Sequence, residues 1–245
     1  MKQVRRILDA TLGKWLRHLA FLLVRGYFAL FYNIGCSNKH LLQDLPGGLI
    51  LASHVSRLDG PMVASILYST RRVRPAVHYD EYHHPAQLLP MLIANAVPLS
   101  SPKAWPPERR AERKAWALDT MRRIVRKGGF VLLFPGGQVK RQPREIIQPH
   151  FAGAYEILRA VPDTPVLLLR IQGLSRFDRP SHDLFWSFLF IRQGRRHVSI
   201  SIEHLEDGLN TDGDLASFNA DLEERLNAPP ICPAAAPEPA SAHDS

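Results

Sequence analysis

A histidine and an aspartate five residues apart stand in the block Ser53-His54-Val55-Ser56-Arg57-Leu58-Asp59-Gly60-Pro61. The apolar run at residues 49–52, opened by Gly47-Gly48, reads as a buried strand, so His54 falls at its carboxyl end. That is the end at which sites form in open α/β sheets. On one continuous helix this spacing would turn the two side chains apart. A tight turn instead brings the carboxylate back to accept the proton of one imidazole nitrogen. The tautomer is then fixed, and the other nitrogen is left basic towards a substrate hydroxyl. A general base held this way contributes about 100- to 10,000-fold. A plainer reading is open too. Asp59, two residues before Pro61, suits a helix N-cap, and His54 suits a strand-end histidine bonded to the backbone. Spacing alone does not choose.

The second candidate is Phe134-Pro135-Gly136-Gly137-Gln138-Val139-Lys140-Arg141, directly after the apolar run 130–134. Glycines there let backbone N–H groups approach an anion, and Lys140, Arg141 and Arg144 supply positive charge. A simple turn with a solvated basic rim would look the same. His78, His83 and His84, with Asp80 and Glu81, form a third cluster. It lacks a helical His-Glu-x-x-His arrangement, and a structural or solvated loop without metal is expected.

Strands and helices must position these groups. Apolar runs at 49–52, 76–79, 97–99, 130–134 and 166–171 predict strands, and the alternation at 197–202 predicts an edge strand. Helices are expected at 61–68, 107–127, 151–160 and 212–226, and in part over 85–96. In the second of these, Ala117, Leu118, Met121, Ile124 and Val125 recur at helical spacing, and Gly128-Gly129 stops it. Strands alternating with helices imply an α/β fold with a mainly parallel or mixed sheet flanked by helices.

Residues 4–32 also read as helical, with a break near Arg25-Gly26. Phe21, Tyr27, Phe28, Phe31 and Tyr32 mix there with Lys14, Arg17, His18 and Arg25, and no run reaches the roughly 20 apolar residues that span a bilayer. The composition suits an amphipathic helix in the membrane interface, and equally one packed on its own domain. No signal-peptide cleavage site is evident. The expected division is a membrane-association segment at 1–33, a domain at 34–227 and a disordered Pro/Ala-rich tail at 228–245.

The chain is 45% hydrophobic with a formal net charge of +8, which suits a globular protein with an anionic partner. Basic runs at 71–74 and 192–196 make an anionic lipid surface plausible, at about 1 kcal/mol per basic residue near it. Two cysteines, Cys36 and Cys232, make no disulfide framework and suggest a reducing compartment. No nucleic-acid-binding motif is present.

The order of these blocks resembles the glycerolipid acyltransferase family, which contains the lysophosphatidic acid acyltransferases. His-x4-Asp follows a first strand; a Gly-Gly-bounded strand leads into Phe-Pro-x-Gly; Phe-x-Gly-Ala at 151–154 and Pro165-Val166 follow. The resemblance covers about residues 45–205. It implies that His54 activates the acceptor hydroxyl and Asp59 orients it. It further implies an acyl thioester of coenzyme A or acyl carrier protein as donor, a lyso-lipid acceptor, and no cofactor or metal. Ser56, Arg57, Phe134, Pro135, Gly136, Gly137, Lys140 and Arg141 become candidate substrate contacts. The expected location is the cytoplasmic face of the inner or plasma membrane.

The chain departs from the family twice. Phe-Pro-Glu-Gly-Thr-Arg reads Phe134-Pro135-Gly136-Gly137-Gln138-Val139 here, and the arginine block after a second strand becomes a stretch ending in Ser100-Ser101, with Lys103 beyond. Lys103, Lys140 or Arg141 would have to substitute, as point charges or in another geometry. Two alternatives follow: an acceptor without phosphate, such as a lyso-aminolipid, or a catalytically silent lipid-binding homologue.

Overall fold

The computed structural model describes residues 11–56, 58–68, 70–83, 91–101, 103–137, 139–140, 142–174 and 196–229. Seven strands form one sheet: β1 (Tyr32–Ser37), β2 (Gly48–Ala52), β3 (Val73–Val77), β4 (Val97–Pro98), β5 (Phe130–Leu133), β6 (Val166–Gln172) and β7 (Arg196–Leu205). Their order is β1-β7-β6-β2-β5-β3-β4. Among the described residues, only the β6/β7 pair is antiparallel. β2 lies between β5 and β6, and all five of its residues are buried.

The side chains of β2 sort by parity, as a pleated strand requires. Leu49 and Leu51 enter one core with α5 (Pro107–Arg126), α6 (Gly153–Ala160) and α7 (Leu215–Asn227). Ile50 and Ala52 enter the opposite core with α1 (Thr11–Phe31), α2 (Leu41–Asp44) and α3 (Asp59–Leu67). A short helix, α4 (Tyr79–His83), follows β3. The sheet is thus covered on both faces, the arrangement under which strands are continuous apolar runs. The expected α/β class holds.

α5 begins at Pro107 and ends where Gly128 takes φ +72°, with Gly128 N–H bonded to Val125 O and Gly129 N–H to Ile124 O. A β-carbon at Gly128 would come within 2.7 Å of Pro46 O, so the stop also seats α5 against the entry to β2.

Three expectations change. β7 is not an edge strand: β1 and β6 flank it. Its alternation reports a face, with Val198, Ile200 and Ile202 in the core, and carries no information about in-plane neighbours. β1 is an edge strand, unforeseen although Tyr32, Ile34 and Cys36 alternate with Asn33, Gly35 and Ser37 and pack on one core. α1 runs unbroken through Arg25-Gly26, since a lone glycine costs a helix only about 1 kcal/mol.

α1 has two faces. Phe21 stacks on Tyr68 of the α3 C-terminus at 4.1 Å between ring centroids, and Phe28 enters the core. Trp15, Leu19, Leu22, Leu23 and Leu30 are each at least half exposed. At 100° per residue those five fall within an arc of about 100°. Among the described residues, no helix is long and apolar enough to cross a membrane. The tail from residue 230, residues 192–195 of the basic run and residues 85–90 lie outside the described residues.

Candidate active site

Strands β2, β3, β5 and β6 run parallel, so their carboxyl ends share one edge of the sheet. His54 stands there, two residues past β2. Ser53 N–H donates to Leu169 O, and Ile171 N–H donates to the Ser53 hydroxyl oxygen at 3.1 Å. The histidine is thus hung from a backbone pinned to β6.

After His54 the chain turns into α3, whose first residue is Asp59. The Asp59 carboxylate does not cap the helix by reaching forward. It reaches back: Oδ2 lies 3.0 Å from His54 Nδ1 and accepts the N–H groups of Val55 at 2.6 Å and Ser56 at 2.9 Å. The turn closes further through Leu58 N–H to the Ser56 hydroxyl oxygen. Asp59 is fully buried, while the His54 side chain stays about one-fifth exposed. The carboxylate is therefore held in place and the imidazole is reachable. Burial pushes the Asp59 carboxyl above its usual range, opposed by the hydrogen bonds from His54, Ser56 and Val55. With Nδ1 against a carboxylate, the neutral ring carries its proton on Nδ1, and Nε2 is the basic nitrogen.

The loop after β5 forms the other wall. Phe134 lays its ring 4.5 Å from the His54 ring, and Phe134 O accepts Gly137 N–H to close a turn over Pro135 and Gly136. Gly137 has φ +70°, and a β-carbon there would strike the Phe151 ring. Lys140 N–H donates to His54 O at 2.7 Å, while its ammonium donates to Pro143 O. A cleft of about 240 Å³ beside this wall is lined by Val139, Lys140, Gln142, Arg144, Glu145 and Gln148. A second cleft, of about 220 Å³, opens at the opposite edge around Pro46, Gly128 and Pro165, the length of β2 away from His54.

The structure brings together His54, Asp59, Ser56, Phe134, Pro135, Gly136, Gly137 and Lys140. Arg57, Gln138 and Arg141 lie outside the described residues. Lys103 is exposed, and its N–H donates to Ser101 Oγ, whose hydroxyl in turn donates to Asp80. His83 Nδ1 lies 3.0 Å from Tyr79 O and His78 lies 3.6 Å from Asp80, while His84 is outside the described residues. Among the described residues no group of three metal-ligating side chains forms. In the 71–74 run, Arg71 donates to Leu42 O and Leu45 O, and Arg74 to Asn95 O, so both serve the fold.

One group at the site was not foreseen. Glu145 is 3% exposed, and its Oε2 accepts His54 N–H at 3.2 Å. Its own backbone is clamped by Asn227 at the end of α7, through Glu145 N–H to Asn227 Oδ1 and Asn227 Nδ2 to Glu145 O. Burial pushes its carboxyl from 4.5 up to about 7, against the His54 N–H bond and the charges of His54 and Lys140, with Asp59 adding to the rise. Between those two values the unfolded chain releases this proton while the folded chain keeps it. Stability therefore falls as pH rises through that window and levels off above it. Glu145→Gln removes the slope. It is expected to gain about 3 kcal/mol on wild type between pH 4.5 and 8, read by denaturant unfolding at a series of pH values. Parallel pH dependence in the two proteins would show that Glu145 titrates as an ordinary carboxylate.

The family model described as Acyltransferase matches residues 33–171, more than half of the 245-residue chain. No curated protein matches the chain significantly. Among solved structures, the 1-acyl-sn-glycerophosphate (LPA) acyltransferase PlsC from Thermotoga maritima is similar, with a TM-score of 0.54 and 17% identity. That similarity covers 86% of this chain and 78% of PlsC, and at such identity it is a likeness of fold.

Proposed function

The chain belongs to the acyltransferase family, and we propose that it moves a fatty acyl group from a thioester of coenzyme A or acyl carrier protein to the hydroxyl of a lyso-lipid, as 1-acylglycerol-3-phosphate acyltransferases do in phospholipid biosynthesis. The observation that carries this reading is the 3.0 Å contact of His54 Nδ1 with a carboxylate that is wholly buried. Nε2 takes the proton of the acceptor hydroxyl as its oxygen attacks the thioester carbonyl. The tetrahedral centre collapses, the carbon–sulfur bond breaks, and the imidazolium returns the proton to the leaving thiolate. An ester and a free thiol result, with no acyl-enzyme and no metal. Asp59 stabilises the transient imidazolium.

The basic loop after β5 would meet the anionic part of a substrate, and the exposed stripe of α1 would rest on the cytoplasmic face of a bilayer. One observation favours a second acceptor class. The Lys140 ammonium is turned onto its own loop at Pro143 O, and Gly136 and Val139 bring no charge, which suits an acceptor without phosphate, such as a lyso-aminolipid.

The test uses the full chain with acyl-coenzyme A or acyl carrier protein and a panel of lyso-lipids, with and without phosphate, products read by mass spectrometry. Wild type is expected to consume at least one, and His54→Ala none at a comparable rate. No turnover of any lyso-lipid would overturn the enzymatic reading in favour of a silent lipid-binding protein.

A further inference from the structure

Gly136 sits in the turn over the active site, yet its φ is not positive, unlike that of Gly137. Its backbone does not require glycine. What a side chain there would meet is a neighbour: a β-carbon would lie 2.4 Å from Glu145 Oε1 and 3.2 Å from Ile146 O. The carboxylate of Glu145 therefore fills the space that a side chain at 136 would take. Its other oxygen accepts His54 N–H. One buried carboxylate thus touches both walls of the site, the end of β2 and the turn after β5. It is anchored from a third element, α7, through Asn227.

A carboxylate buried this deeply lowers stability at neutral pH, and such groups cluster where function needs them. The charged groups that bear on it are His54 and Asp59 from the β2–α3 turn and Lys140 from its own loop. α7 offers the neutral Asn227 side chain and the Glu223 carboxylate, whose Oε2 accepts the N–H of Ile147, two residues further along the same loop.

We propose that Glu145 is a positioning residue for His54, its carboxylate entering the slot left by Gly136, holding the carboxyl end of β2 against the turn after β5, and favouring the imidazolium when ionised. It follows that the carboxylate can be supplied from either side of the slot, by residue 145 or by residue 136. The catalytic half of this rests on the acyl-transfer reading; the spatial half does not. A chain with glycine at 136 and glutamate at 145 would then be the counterpart of one with glutamate at 136, the departure noted in the Phe-Pro-Gly-Gly block.

The experiment is a four-protein cycle: wild type, Gly136→Glu, Glu145→Ala and the double variant. Gly136→Glu alone crowds two carboxylates into one slot and is expected to lower Tm and activity. In the Glu145→Ala background the same substitution is expected to leave Tm unchanged or raise it, and to recover most of the lost activity. Additive losses in Tm would overturn the pairing, and that arm needs no substrate, so it stands apart from any failure of the acyl-transfer reading. Glu145→Gln keeps the shape and the N–H acceptor but removes the charge. Release of free thiol from acyl-coenzyme A in the presence of the consumed lyso-lipid should show kcat down about tenfold with KM unchanged, the mark of an interaction made in the transition state. A kcat within about twofold of wild type would limit Glu145 to holding the fold and overturn its role at His54.

Discussion

His54→Ala is expected to lower kcat by about 100- to 10,000-fold with little change in KM or Tm. The asymmetry follows from what each side chain does. The His54 ring is partly exposed and contacts Phe134 and Asp59, so truncation removes one nitrogen base and little packing. Asp59→Asn should cost a comparable factor, by a different route. Oδ2 serves His54, Val55 and Ser56 at once, and an asparagine oxygen in its place can keep those contacts, so what the amide loses is charge, while its NH2 is set at the buried Oδ1 position, which has no acceptor. The lost charge leaves the imidazolium unsupported. Because the two residues act as one unit, the double variant should be no slower than His54→Ala alone. Circular dichroism and unfolding curves would separate this from misfolding. If His54→Ala keeps more than about a tenth of the wild-type rate, His54 is not the general base.

What the sequence made legible, and what it hid, has a physical pattern. β2, β5 and β6 could be read because each is a short apolar run bounded by Gly or Pro, the signature of a strand covered on both faces. The turn from His54 to Asp59 could be read because it is local: five residues, with a helix start beyond. The place of β1 could not be read. Its strand partner among the described residues is β7, about 160 residues away, and its alternation of Tyr32, Ile34 and Cys36 marks a face and not that pairing. Glu145 was hidden for the same reason at the level of a side chain. It lies in a polar loop, 91 residues from the N–H it accepts, and it has no motif of its own. The one trace it leaves is Gly136, a glycine that no positive φ demands. Local chemistry is visible in a single chain; chemistry assembled across the sheet is not.

The same division decides how membrane attachment should be tested, and here the expected effect is again large. Removing residues 1–33 would be uninformative, because Phe21, Phe28 and Tyr32 belong to buried clusters. The exposed stripe can be changed without touching them. On the helical wheel Trp15, Leu19, Leu22, Leu23 and Leu30 share one arc, flanked by exposed His18 and Arg25 on one side and Tyr27 on the other. That is an apolar wedge with basic and aromatic edges, as an interfacial helix requires. A leucine that goes from half-exposed to buried in lipid contributes about 1 kcal/mol. Leu19→Ser, Leu23→Ser and Leu30→Ser together should therefore weaken partitioning into anionic vesicles by about 3 kcal/mol, roughly 100-fold. Tm should barely move, since the face that packs on α3 is intact. Activity on a lyso-lipid presented in vesicles should fall with binding, and activity on the same lipid as a dispersed monomer should not. Unchanged sedimentation with vesicles would mean that the stripe faces something other than a bilayer.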